Sequence, residues 1–412
     1  MITNWIAAAL AMTSTGSICP TGLFHSPTSH EYVVITQPQA GNLRFMFGDG
    51  RRGSLAADDS PLKCTSGKWV AGDNAASPPW SMVALRMEAA EFTSHGTKLS
   101  GTLIEPPGGP HPLVVLVHGS ERTSPLTSPY PYIFASYGLT VFAYDKRGTA
   151  KSAGEYTQNF ELLADDAAAA MKAARRLAEG RFDRAGYFGG SQGGWVAPLA
   201  ATRTPVDFVA VGFGLIESPI GEDHEQVLSE MRAKGYGAAD LAAAAEVAEA
   251  TGLLVGSNFT TGFDRLAAVR RRYGSRPWFT EIQGEFTGDV LRESEADLHR
   301  IGRPLFDNLE LIWNYDGPTV IRRVKAPQLW VLAEADREAP SETTLASLLK
   351  IRGAGADLTI YSFPDTDHGM AEFVEAADGT RTYTRITDGY FRLLADWIKG
   401  ARPATYGRAR KH

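Results

Sequence analysis

The run Gly189-Gly-Ser-Gln-Gly-Gly194 constrains this chain more than any other feature. It follows the apolar stretch Ala185–Phe188 and precedes the helix-forming stretch Trp195–Ala201, so the glycines fall where a strand turns into a helix. G-x-S-x-G in that setting is a nucleophile elbow, a strained turn that lifts one serine hydroxyl above the end of a sheet. Gly189 and Gly193 have physical jobs there, because strand and helix backbones nearly touch beside the serine and leave no room for a Cβ. A Gly-rich loop of no function would share the five letters, but not the strand before and the helix after. Ser191 is the candidate nucleophile.

A serine hydroxyl is a poor nucleophile at neutral pH and needs a base, itself oriented by an acid. On an elbow of this kind the acid and then the histidine follow the serine in chain order. Of nine histidines, five precede Ser191, His224 and His299 lie in a long helical segment, and His412 ends a basic tail. His368 remains, in Asp-His-Gly just after the strand-like Leu358–Phe363, and is the expected base. The acid should sit past the end of a buried strand, and Pro327–Ala333 reads as one. Asp336 lies in the following loop, ahead of Pro340 and the helix-like Ser341–Lys350. Glu334 and Glu338 compete with it; Asp336 is preferred over Glu334 because it lies farther past the strand end.

Leu113–Val117 is a continuous apolar strand of the type buried on both faces of a parallel sheet, and it runs into His118-Gly-Ser120. An oxyanion hole takes one backbone N–H from the residue after the nucleophile and one from the loop after this strand. Gln192 and Ser120 are assigned those donors. His118 is read as a structural residue of the loop.

These residues resemble the α/β-hydrolase superfamily, and within it bacterial serine esterases and serine-aminopeptidase-like hydrolases. The motifs that carry the likeness are Gly101-Thr-Leu-Ile-Glu-Pro106, Val114–Ser120, Tyr144-Asp-Lys-Arg-Gly148, the elbow, Asp336 and Asp367-His368. Tyr315-Asp-Gly-Pro318 fits as well. The resemblance spans roughly residues 85–400 and is specific for fold and mechanism rather than substrate. It departs at Arg147-Gly-Thr-Ala-Lys-Ser152, where Ala150 takes a usual glycine position, and at Glu121, where glycine often follows His-Gly-Ser. A carboxylate at Glu121 would face the mouth of the site or water. The likeness implies hydrolysis of a small-molecule carboxylic ester through an acyl-enzyme, with no cofactor and no metal. An aminopeptidase or amidase of the same fold is the alternative, and a non-catalytic binding protein a more distant one.

Composition agrees. A hydrophobic fraction of 43% supports a large packed core, and a net charge of −6 without a basic aromatic face argues against nucleic acid. No run of about 18 apolar residues is present, so no membrane span is expected. Trp5–Met12 resembles the apolar core of a secretory signal, although residues 1–4 carry no Lys or Arg. A periplasmic or secreted location is favoured over a cytoplasmic one. Cys19 and Cys64 are too few for a disulfide framework or a structural zinc site; a single bridge between them and two free thiols both stay open. Oligomeric state is not legible.

Along the chain, residues 1–30 read as a leader, 31–84 as a β-rich extension, and 85–215 with 326–400 as a core of alternating strands and helices. Such alternation gives a mostly parallel sheet with helices on both faces. Residues 216–325 read as an inserted helical cap, with helices at Ala238–Leu254, Phe263–Tyr273 and Val290–Arg300, and residues 401–412 as a basic, frayed tail. Trp278 and Trp313 of the cap, with Glu121, are the expected substrate-binding residues; the remaining cap aromatics are assigned to packing.

Overall fold

The computed structural model describes residues 19–39, 41–72, 77–306, 310–402 and 404–412. Its centre is a nine-stranded sheet. Six strands run parallel: Leu113–Val117, Thr140–Tyr144, Ala185–Gly190, Phe208–Gly212, Gln328–Ala333 and Leu358–Phe363. The antiparallel hairpin Arg86–Ser94 and Thr97–Glu105 extends the sheet beyond Thr140–Tyr144. Val115 and Val117 face one apolar layer with Phe160, Trp195 and Leu348, while Val114 and Leu116 face the opposite layer with Phe134, Phe391 and Leu394. Period-2 alternation thus feeds two cores, which is why these strands read as unbroken apolar runs.

Leu113–Val117 lies between Thr140–Tyr144 and Ala185–Gly190, so successive connections leave it in opposite directions across the sheet. In an open α/β sheet that switch point opens a crevice at the carboxyl ends of the strands. The loop after Val117 and the elbow after Gly190 both emerge there.

The inserted helices Pro219–Ala233, Ala238–Gly256, Phe263–Tyr273, Thr287–Arg292 and Glu295–Phe306 build their own apolar cluster around Val247, Leu254 and Trp278. Two expectations need correction. The helix expected over Val290–Arg300 is two helices, because Glu293 turns extended and the Ser294 hydroxyl accepts the Asp297 N–H to start the second. The cap also ends before residue 325: Gly317–Arg323 buries Val320 and Ile321 against the main core.

Both ends of the described chain hold more structure than expected. Residues 1–18 of the expected leader lie outside the described residues, but Gly22–His25 is already a strand, pairing with Tyr32–Gln39 in a five-stranded antiparallel sheet. Cys19 and Cys64 form a disulfide, with Cα atoms 5.8 Å apart, that ties this start to the hairpin Leu62–Thr65/Lys68–Ala71. The tail is not frayed. Arg410–Lys411 adds an edge strand to Leu358–Phe363, Tyr406 is buried, and the His412 ring meets Ser362 Oγ at 2.8 Å. A hairpin that the sequence did not reveal, Ala371–Glu375 with Arg381–Ile386, follows His368.

Candidate active site

The turn at the elbow is as tight as its glycines require. Ser191 sits at φ +52°, a conformation costly for a side-chain-bearing residue. A Cβ on Gly189 would stand 2.2 Å from the Gly193 carbonyl oxygen, and one on Gly194 2.8 Å from the Gly214 Cα. The Ser191 N–H donates to Gly212 O at 3.3 Å and Gly194 N–H to Ser191 O at 2.7 Å, so the turn is tied to the neighbouring strand and to its own helix.

The structure brings Ser191, His368 and Asp336 together. His368 Nε2 lies 3.1 Å from Ser191 Oγ, and Nδ1 lies 2.9 Å from Asp336 Oδ2. The tautomer that satisfies both contacts carries its proton on Nδ1, donates it to the carboxylate, and leaves Nε2 to accept from the serine. Asp336 Oδ1 accepts the backbone N–H groups of Glu338 at 3.0 Å and Ala339 at 2.7 Å. Burial raises the Asp336 carboxyl above its ordinary value, with the His368 hydrogen bond opposing. Burial works to lower the His368 pKa, but the Asp336 hydrogen bond and charge, with Glu338 and Asp367, outweigh it and raise it. Glu338 Oε1 stands 3.5 Å from Nε2. Glu334 is elsewhere, held by Ser362 Oγ at 2.6 Å and Arg410 at 2.9 Å.

Residues to which the sequence assigned no role hold this arrangement. Asp367, buried, accepts the His368 N–H at 2.8 Å and pairs with Arg381 at 2.6 Å, while Arg381 lies 3.7 Å over the Phe373 ring. The late hairpin therefore braces the loop that aims the imidazole. Phe213 sets its ring edge-on to His368 at 5.2 Å. Lys146, fully buried, donates from Nζ to Gly119 O and, at 3.4 Å, to Gln192 Oε1. It thereby pins together the two segments that carry Ser120 and Gln192; burial pulls its pKa down to about 8. Among the described residues the Ser120 and Gln192 N–H groups have no acceptor, and both residues line the cleft beside Ser191. His118 is buried, with Nε2 against the Tyr144 carbonyl; burial and the Lys146 charge push its pKa down to about 3, so it stays neutral.

Ser191 opens onto two cavities. The larger, about 650 Å³, lies under the cap and carries Glu222, Glu285, Asp289, Glu293 and Glu338 with Trp313 on its walls. Burial and then mutual repulsion drive the Glu222 carboxyl well above the ordinary range and raise Glu285. The smaller, about 390 Å³, has Glu121 near the nucleophile and mostly apolar walls. Trp278 reaches neither. It is buried in the cap's own core with Nε1 on Asp240 at 2.8 Å, because an indole of that size serves packing once its N–H finds an acceptor. No group of three or more ligating side chains suited to a metal occurs among the described residues.

An elbow at a parallel sheet's switch point, an acid and a histidine after the second and third strands beyond it, and a helical insertion over them make one architecture. It is the α/β-hydrolase fold. Residues 108–235 match the family model for serine aminopeptidase, S33. Similar solved structures include the Pyrococcus furiosus esterase Pf2001, 15% identical over 69% of this chain and 85% of that one, at a TM-score of 0.43. A Pyrococcus horikoshii acylaminoacyl peptidase is 15% identical over 95% of this chain and 51% of that one, at 0.47. The proline iminopeptidase of Mycobacterium smegmatis is 17% identical over 76% and 98%, at 0.44. No curated protein matches the sequence. No helix among the described residues is long and apolar enough to cross a membrane.

Proposed function

We propose that this α/β-hydrolase is a serine esterase that cleaves small carboxylic esters through an acyl-enzyme. The observation that carries the reading is the continuous path Ser191 Oγ to His368 Nε2, 3.1 Å, and His368 Nδ1 to Asp336, 2.9 Å. His368 takes the Ser191 proton as Oγ attacks the carbonyl carbon. The oxyanion forms against the Ser120 and Gln192 N–H groups, each donor worth on the order of 10²–10³ in rate. Collapse of the tetrahedral species breaks the carbon–alkoxy bond, and His368 gives its proton to the leaving alcohol. Water, deprotonated by the same imidazole, then releases the acid and restores Ser191.

A second reading, cleavage of an aminoacyl amide, draws support from the five carboxylates of the cap cleft, which favour a cationic group there. A panel of p-nitrophenyl esters from acetyl to palmitoyl, beside aminoacyl-p-nitroanilides, separates the readings. Ester turnover without anilide turnover is expected. Anilide turnover alone would replace the proposal with the peptidase, and silence on both without labelling by a fluorophosphonate would favour a binding protein.

A further inference from the structure

The smaller cavity contains a residue that no part of the catalytic relay uses. Leu116, Tyr130, Phe188, Phe213 and Ile386 give it apolar walls, and Arg52 stands on its boundary although it belongs to the N-terminal sheet. The local structure explains how Arg52 gets there. Arg52 pairs with Met46 across the hairpin, and directly opposed residues of an antiparallel pair project from the same face. Met46 is buried in the core layer that holds Phe188 and Phe391, so this face is turned toward the catalytic domain.

The hairpin tip is fixed against that domain next to Arg52. Gly50 O accepts the Ile386 N–H at 3.0 Å, and Gly48 O accepts the Tyr137 hydroxyl at 3.0 Å. Gly50 must be glycine, since its φ is +92° and a Cβ would lie 2.2 Å from Ile386 O. The extension thus delivers one cation, at a defined position, to a pocket that begins at the nucleophile.

Arg52 also differs from Arg147 and Arg381, the paired arginines near the site. Arg147 makes a two-pronged pair with Asp166, and Arg381 pairs with Asp367. Arg52, partly buried, has neither a hydrogen-bond nor an ion-pair partner among the described residues. Burial lowers its pKa, the Tyr130 hydroxyl acts in the opposite direction, and Arg44 adds a like charge nearby. A guanidinium stays charged in such a place, and its planar fork is matched by a carboxylate.

The chemistry decides which part of an ester would reach it. The oxyanion donors Ser120 and Gln192 line the cap cleft, and so does Glu338, the neighbour of His368 Nε2. The leaving oxygen must meet Nε2 to be protonated, so oxyanion and leaving group both lie on the cleft side. The third substituent of the carbonyl carbon, the acyl chain, is left with the smaller pocket.

We propose that this pocket binds the acyl group and that Arg52 pairs with a carboxylate at its far end, making half-esters of dicarboxylic acids the preferred substrate class. The inference rests on the ester reading above. Glu121, exposed near the Ser191 end of the pocket, works against a carboxylate placed close to the reacting carbon. The preferred acid is therefore one long enough to carry its charge past Glu121 to Arg52.

The test uses mono-p-nitrophenyl esters of adipic, pimelic and suberic acids, each beside its methyl-capped counterpart, with spontaneous hydrolysis subtracted. For at least one chain length, kcat/KM should favour the free carboxylate by about tenfold or more, as expected for a charge-assisted pair. Arg52→Met should bring that ratio to about one, Arg52→Lys should keep part of it, and Arg52→Glu should shift preference to the ω-ammonium ester of 6-aminohexanoic acid. Thermal melts identify variants that do not fold, and the wild-type ratio decides the matter without them. Equal turnover of free and capped esters by the wild type would overturn the inference while leaving the esterase standing. So would an undiminished preference in folded Arg52→Met. Turnover of none of the esters, with no phosphonate labelling, would instead remove the esterase reading beneath it.

Discussion

Asp336 Oδ2 lies 2.9 Å from His368 Nδ1, and the other oxygen of that carboxylate is already held by the N–H groups of Glu338 and Ala339. The acid therefore has one fixed orientation, and one oxygen left for the imidazole. A carboxylate so constrained selects the Nδ1–H tautomer and leaves Nε2 free to take the serine proton.

Asp336→Asn should lower kcat by on the order of 10³–10⁴, because an amide in that place no longer holds the working tautomer. Glu334→Gln should lower kcat little, since Glu334 bonds Ser362 and Arg410 and serves only to fasten the C-terminal strand. Steady-state kinetics on both variants, with melting curves as controls for folding, check the pair. Comparable losses of kcat in the two would contradict this division of roles.

The pH profile carries a second expectation. His368 must be neutral to act as base, and its pKa is raised above the ordinary 6.5, with burial opposed and outweighed by Asp336, Glu338 and Asp367. The acid limb of kcat/KM should therefore fall with a midpoint above 6.5, activity rising as the proton leaves. Glu338→Gln removes one of the charges that stabilise the imidazolium, so the limb should move to lower pH. An unmoved or upward-shifted limb in that variant would show that Glu338 does not act on His368.

Lys146 gives a third. Its Nζ joins Gly119 O to the Gln192 side chain, one residue from Ser120 and at Gln192 itself. Lys146→Met should misplace the two oxyanion donors and lower kcat by roughly tenfold to 10³, with less effect on KM, since those donors act mainly on the charge of the transition state. An intact kcat in the folded variant would leave Lys146 a packing residue.

Much of this was legible in the chain itself. A strand-like run and a helix-like run flanking four glycines located the elbow, and chain order then singled out His368 and the loop after Ala333. Phe263–Tyr273 and Leu358–Phe363 have the bounds expected of them. What escaped depends on contacts distant in sequence. The Asp367–Arg381 pair spans a hairpin whose strands, such as Arg381–Ile386, are largely exposed and show no apolar alternation. Arg410–Lys411 is polar and becomes a strand only because Tyr361 and Ser362 offer a free edge. Arg52 is a charged residue in a three-residue strand, and nothing local shows that it borders the same cavity as Ser191. Trp278 and Trp313 look alike in sequence, and packing alone decides that Trp313 lines the cleft.

The central claim is that Ser191 is the nucleophile, activated by His368. Incubation with a fluorophosphonate, followed by proteolysis and mass spectrometry, tests it most directly. A single adduct is expected, on the peptide containing Ser191, lost in Ser191→Ala and strongly slowed in His368→Ala. An adduct on another serine, or undiminished labelling of folded Ser191→Ala, would contradict it.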